Sequence, residues 1–143
     1  MFLGEYQHSL DSKGRLSVPV KFRSDLGSSA IVTKGLDGCL FLYPKAEWGI
    51  MAEKLASLPV SSSKARAFSR MMLSGAMEVE IDKVGRVLLP GYLRDFAGIE
   101  GEAVVAGVSN RVEIWNKSAW TDYSRESESN SSANAEGLQE WEI

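Results

Sequence analysis

Residues 10–19 read Leu10-Asp11-Ser12-Lys13-Gly14-Arg15-Leu16-Ser17-Val18-Pro19, and residues 81–90 read Ile81-Asp82-Lys83-Val84-Gly85-Arg86-Val87-Leu88-Leu89-Pro90. At an offset of 71 positions (10 to 81), Asp, Gly, Arg and Pro coincide, and apolar residues match at three more places. Working outward, Arg23 meets Arg94 and Gly27 meets Gly98. One added residue moves the offset to 72. Val32 then meets Val104, Gly35 meets Gly107, Leu40 meets Val112, Leu42 meets Ile114, and Lys45 and Trp48 meet Lys117 and Trp120. A match of this length with a single gap marks an internal duplication.

Each copy carries the same pattern of elements. Tyr6, His8 and Leu10 alternate with Gln7, Ser9 and Asp11, as Met77, Val79 and Ile81 alternate with Glu78, Glu80 and Asp82. Period two predicts a half-buried strand. A glycine turn and a short second strand follow, carrying Leu16 and Val18 or Val87 and Leu89. Pro19 and Pro90 suit the first turn of a helix. Gly27 and Gly98 suit the left-handed position just past its end. A hairpin closes each copy: Ile31 to Lys34, a turn at Asp37-Gly38 and Cys39 to Tyr43, then Ala103 to Ala106, a turn at Ser109-Asn110 and Arg111 to Trp115. Asp-Gly favours such turns because both positions tolerate positive φ. Between the copies, Trp48, Met51, Leu55 and Leu58 share one helix face that Pro59 ends. Ser61 to Ser63 can cap a second helix bearing Ala65, Phe68 and Met72. These stripes suit either an intramolecular core or a subunit contact. A module of roughly 45 residues buries too little surface to stand alone. The expectation is therefore an α+β, β-rich chain whose two modules pair as an intramolecular pseudo-two-fold barrel, with helices between and after them. The divisions fall at 1–58 for the first module with its trailing helix, 59–76 for the inter-module helix, 77–123 for the second module and 124–143 for a tail.

The paired turns carry the distinctive chemistry. Asp11 and Asp82 can accept hydrogen bonds from turn N–H groups. Gly14 and Gly85 let the backbone reverse with positive φ. Arg15 and Arg86 then leave the turns on short, fixed stems, each with a planar fork of donors suited to phosphate oxygens or to guanine O6 and N7. Lys13 and Lys83 add charge to the same loops. Lys13 corresponds to Val84 and Ser12 to Lys83, so the two loops should contact a nucleic acid unequally. The plainer alternative is that Arg15 pairs with Asp11, and Arg86 with Asp82, as solvent-exposed pairs of little energetic weight. Arg23 and Arg94 either flank such a surface or are solvated helix charges.

The two Asp-x-x-x-Arg turns, and above all the run Asp-Ser-Lys-Gly-Arg-Leu-Ser-Val-Pro, resemble the repeated motif of MraZ proteins, whose modules belong to the swapped-hairpin SpoVT-AbrB class. The resemblance covers residues 1 to about 120. It implies a sequence-specific DNA-binding transcriptional regulator in which Arg15 and Arg86, then Lys13 and Lys83, face DNA, while Asp11, Gly14, Asp82 and Gly85 shape the turns. It also implies a homo-oligomeric ring on short direct repeats in the promoter of the division and cell-wall gene cluster, the protein's own promoter included. An AbrB-class antitoxin that binds DNA and a protein partner is a rival, although such proteins usually carry one module per chain.

Composition narrows the rest. The chain of 143 residues has 44% apolar and 24% charged residues, normal for a globular domain. One histidine and one cysteine leave no Ser-His-Asp or metal-ligand spacing, so no catalytic residue, metal, cofactor or small-molecule substrate is expected. An enzyme would have to use Asp11 and Asp82 as carboxylates sharing a proton. His8 reads as a partly buried structural residue, and Cys39, beside Leu40, Phe41 and Leu42, as a buried thiol. A lone cysteine, an N-terminus without the flanks of a signal peptide and the lack of a ~20-residue apolar run point to a cytoplasmic, nucleoid-associated protein with no membrane partner. The net charge of −3 hides an asymmetry: from Asp122 on there are six acids against one base, Arg125, so the preceding body is mildly basic. Residues 124–136 hold five serines and three glutamates with no large apolar residue, so the acidic, Ser-rich tail 124–143 is expected to be disordered and mobile in solution.

Overall fold

The computed structural model describes residues 1–142. Each copy supplies four strands and a short helix: β1 (Phe2–Ser9), β2 (Arg15–Ser17), α1 (Val20–Leu26), β3 (Ser29–Lys34) and β4 (Leu40–Pro44), then β5 (Met77–Glu80), β6 (Arg86–Leu88), α4 (Gly91–Ala97), β7 (Glu102–Ser109) and β8 (Arg111–Asn116). Between them lie α2 (Lys45–Ala56) and α3 (Ser63–Ser74), and after them α5 (Lys117–Ser129) and α6 (Ser131–Glu136). Pro19 and Pro90 stand one position before α1 and α4, with extended backbone angles that deliver the chain into each helix. Gly27 and Gly98 follow those helices with positive φ.

Strand pairing crosses between the copies. The first strand of each copy pairs antiparallel with the third strand of the other, β1 with β7 and β5 with β3. The second strands pair with each other, Leu16 opposite Val87, and the fourth strands likewise, Phe41 opposite Glu113. Both registers are symmetric under exchange of the copies, so a pseudo-two-fold axis passes through these two pairs.

The expected barrel does not form. The large sheet has six strands in the order β1-β7-β8-β4-β3-β5, and β2 and β6 make a separate two-stranded sheet. The outer strands β1 and β5 remain edges. Three-residue β2 and β6 join the chain just beyond the first strands through the isolated bridges Leu10–Leu16 and Ile81–Val87, not through a ladder with β1 or β5. Ribbons this short cannot carry a continuous ladder from one edge of the large sheet to the other.

The structure also corrects the repeat alignment. Val32 is equivalent to Val105, not Val104: Val32 faces Leu42 and Val105 faces Ile114. Val32 and Val105 enter one core, and Val104 enters another on the opposite face of the sheet. A one-residue slip exchanges faces. It arises because the first hairpin has a three-residue loop, Leu36 to Gly38, closed by Gly35 N–H donating to Cys39 O at 2.8 Å. The second turns through Ser109-Asn110 alone.

Two cores sandwich the large sheet. The first holds Leu16, Val18, Val87 and Leu89 of the ribbon, Phe22 and Leu26 of α1, and Leu93 and Ala97 of α4. The second holds Phe41, Tyr43, Leu55, Met72, Val104 and Trp115, with Trp48, Phe68 and Trp120 packed against it. The apolar stripes of α2 and α3 therefore cover the sheet within one chain. Ser62 caps α3 by accepting from Ala65 N–H. Asn116 caps α5, whose helix runs to Ser129 and is followed by α6 and a short 3-10 turn at Gln139–Trp141. Ser, Ala and Glu are adequate helix residues without tertiary partners, and none of residues 124–142 is buried. Ile143 lies outside the described residues.

Candidate nucleic-acid interface

The β2–β6 ribbon brings the two turns together. Arg15 lies opposite Leu88 and Arg86 opposite Ser17, symmetric about the Leu16–Val87 pair. Leu16 and Val87 are fully buried, which anchors the ribbon from beneath and fixes the stems of both arginines.

Each aspartate builds its own turn. Asp11 Oδ1 accepts from Lys13 N–H and Arg15 N–H, both at 2.9 Å, and Oδ2 from Arg15 Nε at 2.6 Å. Asp82 Oδ1 accepts from Val84 N–H at 3.1 Å and Arg86 N–H at 2.9 Å, and Oδ2 from Arg86 Nε at 2.9 Å. Backbone bonds from Gly14 N–H to Asp11 O and from Gly85 N–H to Asp82 O close both turns. Gly14 and Gly85 have φ of 81° and 84°, a region that side chains disfavour. The Arg15 backbone N–H is the main cause holding the Asp11 carboxyl at about 2, against its ordinary 3.8, with help from the Arg15 side chain and Lys13 N–H. The Arg86 backbone N–H is the leading cause lowering Asp82 in the same way. Both carboxylates stay charged and occupied with the turns.

The local Arg–Asp pairing anticipated as the plainer alternative is thus present. It consumes only the Nε edge of each guanidinium. The ion pairing crosses the axis once, where Arg86 Nη1 stands 4.0 Å from Asp11 Oδ2. Both arginine side chains keep about a third of their surface exposed (31% and 33%). Lys13 and Lys83 are exposed on the same turns. The ribbon therefore sets Arg15 and Arg86 on one face, opposite to that of buried Leu16 and Val87, with exposed Lys13 and Lys83 on the adjoining turns.

Reading the residues alone singled out Arg23 and Arg94 but not the contacts they make. Neither is a freely solvated charge. Arg23 Nε donates to Val18 O at 2.9 Å and Arg94 Nε to Leu89 O at 3.0 Å, and each guanidinium lies against a turn glycine of the other copy. Their matched positions in the duplication were the available signal. Elsewhere, Glu113 is nearly buried (8% exposed) and accepts from Arg111 and from Trp115 Nε1. Cys39 is buried, chiefly for which reason its thiol is pushed up to about 12. Among the described residues no group of three His, Cys, Asp or Glu side chains is placed to hold a metal ion, and no helix is long and apolar enough to cross a membrane.

A duplicated β-rich module with strands exchanged between the copies, and matched Asp-x-x-x-Arg turns on a shared ribbon, is consistent with tandem modules of the SpoVT-AbrB class. The family described as "MraZ protein, putative antitoxin-like" matches twice, at residues 1–71 and 72–140. The transcriptional regulators MraZ of Natranaerobius thermophilus and Moorella thermoacetica are each 51% identical over 143 residues, all of both chains. That of Pelotomaculum thermopropionicum is 56% identical over 123 residues, 86% of this chain and 85% of its own. The chain belongs to the MraZ family of transcriptional regulators, proteins that regulate rather than catalyse.

Proposed function

We propose that the chain binds double-stranded DNA through the turns 11–15 and 82–86, with Arg15 and Arg86 as principal contacts and Lys13 and Lys83 as lesser ones. The observation that carries this reading is the ribbon geometry: two arginines in symmetric register, each held by Nε and each keeping about a third of its side-chain surface exposed. Such a fork can grip a phosphate or a guanine edge without first being ordered. Each turn carries one lysine, but at different positions, Lys13 matching Val84 and Lys83 matching Ser12, so the two turns present equal charge in different places.

The full site is a set of short direct repeats in the promoter of the division and cell-wall gene cluster, the protein's own promoter included. One chain offers few basic groups. A closed homo-oligomer, with residues 1–58 and 77–123 of each copy presenting their turns on one face, binds such repeats with avidity that a lone chain lacks. The setting is the cytoplasm, at the nucleoid. The test is titration of duplexes bearing one, two, three and four repeats of the upstream region, alongside scrambled duplexes. Affinity should climb steeply with repeat number on the natural sequence only. Equal affinity for all the duplexes overturns the repeat reading. The antitoxin-like wording of the family description keeps a second reading in view, and a tight one-to-one complex with a toxin protein would establish it.

A further inference from the structure

Arg23 on α1 and Arg94 on α4 occupy equivalent positions, and each reaches across to the other copy's turn. Arg94 is tethered to its own copy by Nε, which donates to Leu89 O at 3.0 Å. Its guanidinium lies over Gly14 of the first copy, so closely that a Cβ there would stand 2.8 Å from Cζ and 3.0 Å from Nε. Arg23 is tethered through Nε to Val18 O at 2.9 Å and lies over Gly85, where a Cβ would overlap Cζ and Nε. The backbone crosses the same way. Val18 N–H donates to Gly85 O at 2.8 Å and Leu89 N–H to Gly14 O at 3.0 Å. Both glycines are buried and both arginines half-buried. The remaining turn-forming hydrogen bonds, which Asp11 or Asp82 accepts from backbone N–H groups, lie within the turn itself. Each turn is thus closed from within by its aspartate and backed from outside by the other copy's arginine.

We propose that Arg94 positions the Asp11–Arg15 turn and Arg23 positions the Asp82–Arg86 turn, so that each copy's helix sets the loop of the opposite copy. The planar guanidinium is suited to the task because it stacks flat on a bare peptide and is fixed by a directional N–H bond. A lysine in its place keeps the charge and loses both. The functional consequence rests on the reading of the turns as DNA-contacting. A substitution in the second copy then weakens the contacts made by the first.

Hydrogen exchange on the full-length chain tests the positioning without DNA. In Arg94→Lys, peptides spanning 10–17 should exchange about tenfold faster, the loss of roughly one hydrogen bond's restraint, while those spanning 81–88 are unchanged. In Arg23→Lys the two should swap. Equal response of both turns, or response of the arginine's own copy, overturns the proposal. Binding to an upstream duplex gives the second arm. Arg94→Ala should add nothing in an Arg15→Ala background and its full, roughly tenfold, loss in an Arg86→Ala background, because coupling is confined to groups acting through one another. Full additivity in both backgrounds would make Arg94 an independent contact and would also overturn the proposal. Arg15→Ala and Arg86→Ala without effect would refute the DNA reading, and the exchange result would still decide the positioning.

Discussion

Gly85→Ala separates the two demands placed on a turn glycine. At φ of 84° an alanine bears a left-handed cost of about 1–2 kcal/mol. Its Cβ would also overlap the Arg23 guanidinium, which must swing away and give up its bond to Val18 O, for about 1 kcal/mol more. The sum is about 2–3 kcal/mol, or roughly 5–12 °C in Tm for a chain of this size. Gly38→Ala is the internal control. Its φ is 82°, but nothing lies within 4 Å of the added Cβ, so only the first cost of about 1–2 kcal/mol applies. Thermal and urea unfolding of both variants, on the chain already carrying Arg23→Ala as well as on the natural one, would read out the difference. Gly85→Ala should exceed Gly38→Ala by about 1 kcal/mol only while Arg23 is present. Equal costs in the natural background would show that the Arg23 contact imposes no restraint, and the reasoning would fail.

Other expectations follow from single contacts. Leu16→Ala, at the fully buried centre of the ribbon, should cost about 2–5 kcal/mol in urea unfolding and weaken DNA binding at temperatures where the chain stays folded. The lowered carboxyl of Asp11 contributes stability that is complete above 3.8 and is lost as pH falls through about 2. Acid titration of the natural chain should therefore show a loss of stability in that window, and Asp11→Asn should be less stable near neutrality with a flatter profile there. Cys39, buried and pushed up to about 12, should resist a thiol reagent in the native state and react once urea is added, whereas rapid native labelling would contradict its burial. Deleting residues 124–143 should change stability by less than about 0.5 kcal/mol, because none of residues 124–142 is buried. The same deletion should raise affinity for random DNA at low salt by removing acidic charge.

Much of the site was legible because the duplication doubled the signal. A lone Asp-x-x-x-Arg turn is ambiguous, but two in matched frames assign Asp11, Gly14, Asp82 and Gly85 to turn geometry; in the structure Asp11 and Asp82 accept from the Arg15 and Arg86 N–H groups. Partner choice was not legible. Period-two alternation in residues 6–11 says that β1 is half-buried and nothing about whether it pairs with β3 or β7. Barrel closure was inferred from the symmetry of two modules, and it fails on the length of β2 and β6, which alternation over three residues cannot set. The alignment of Val32 with Val104 failed because the second copy has two extra residues before β7 while the first has one extra in the loop Leu36 to Gly38, and the net offset of 72 hides both gaps. Arg23 and Arg94 stood out as a matched pair, yet their contact with glycines of the other copy depends on a crossing that the sequence does not encode locally.

The salt dependence of binding to the natural upstream duplex, compared between the unaltered chain and Arg15→Ala/Arg86→Ala, bears most directly on the central claim. Each lost phosphate contact should lower the slope of log affinity against log salt by about 0.9, so the double variant should lose about 1.8 per chain if both arginines grip phosphate, with its fold intact by circular dichroism. A double variant that binds as tightly as the unaltered chain, with the same slope, would show that the paired turns do not face DNA.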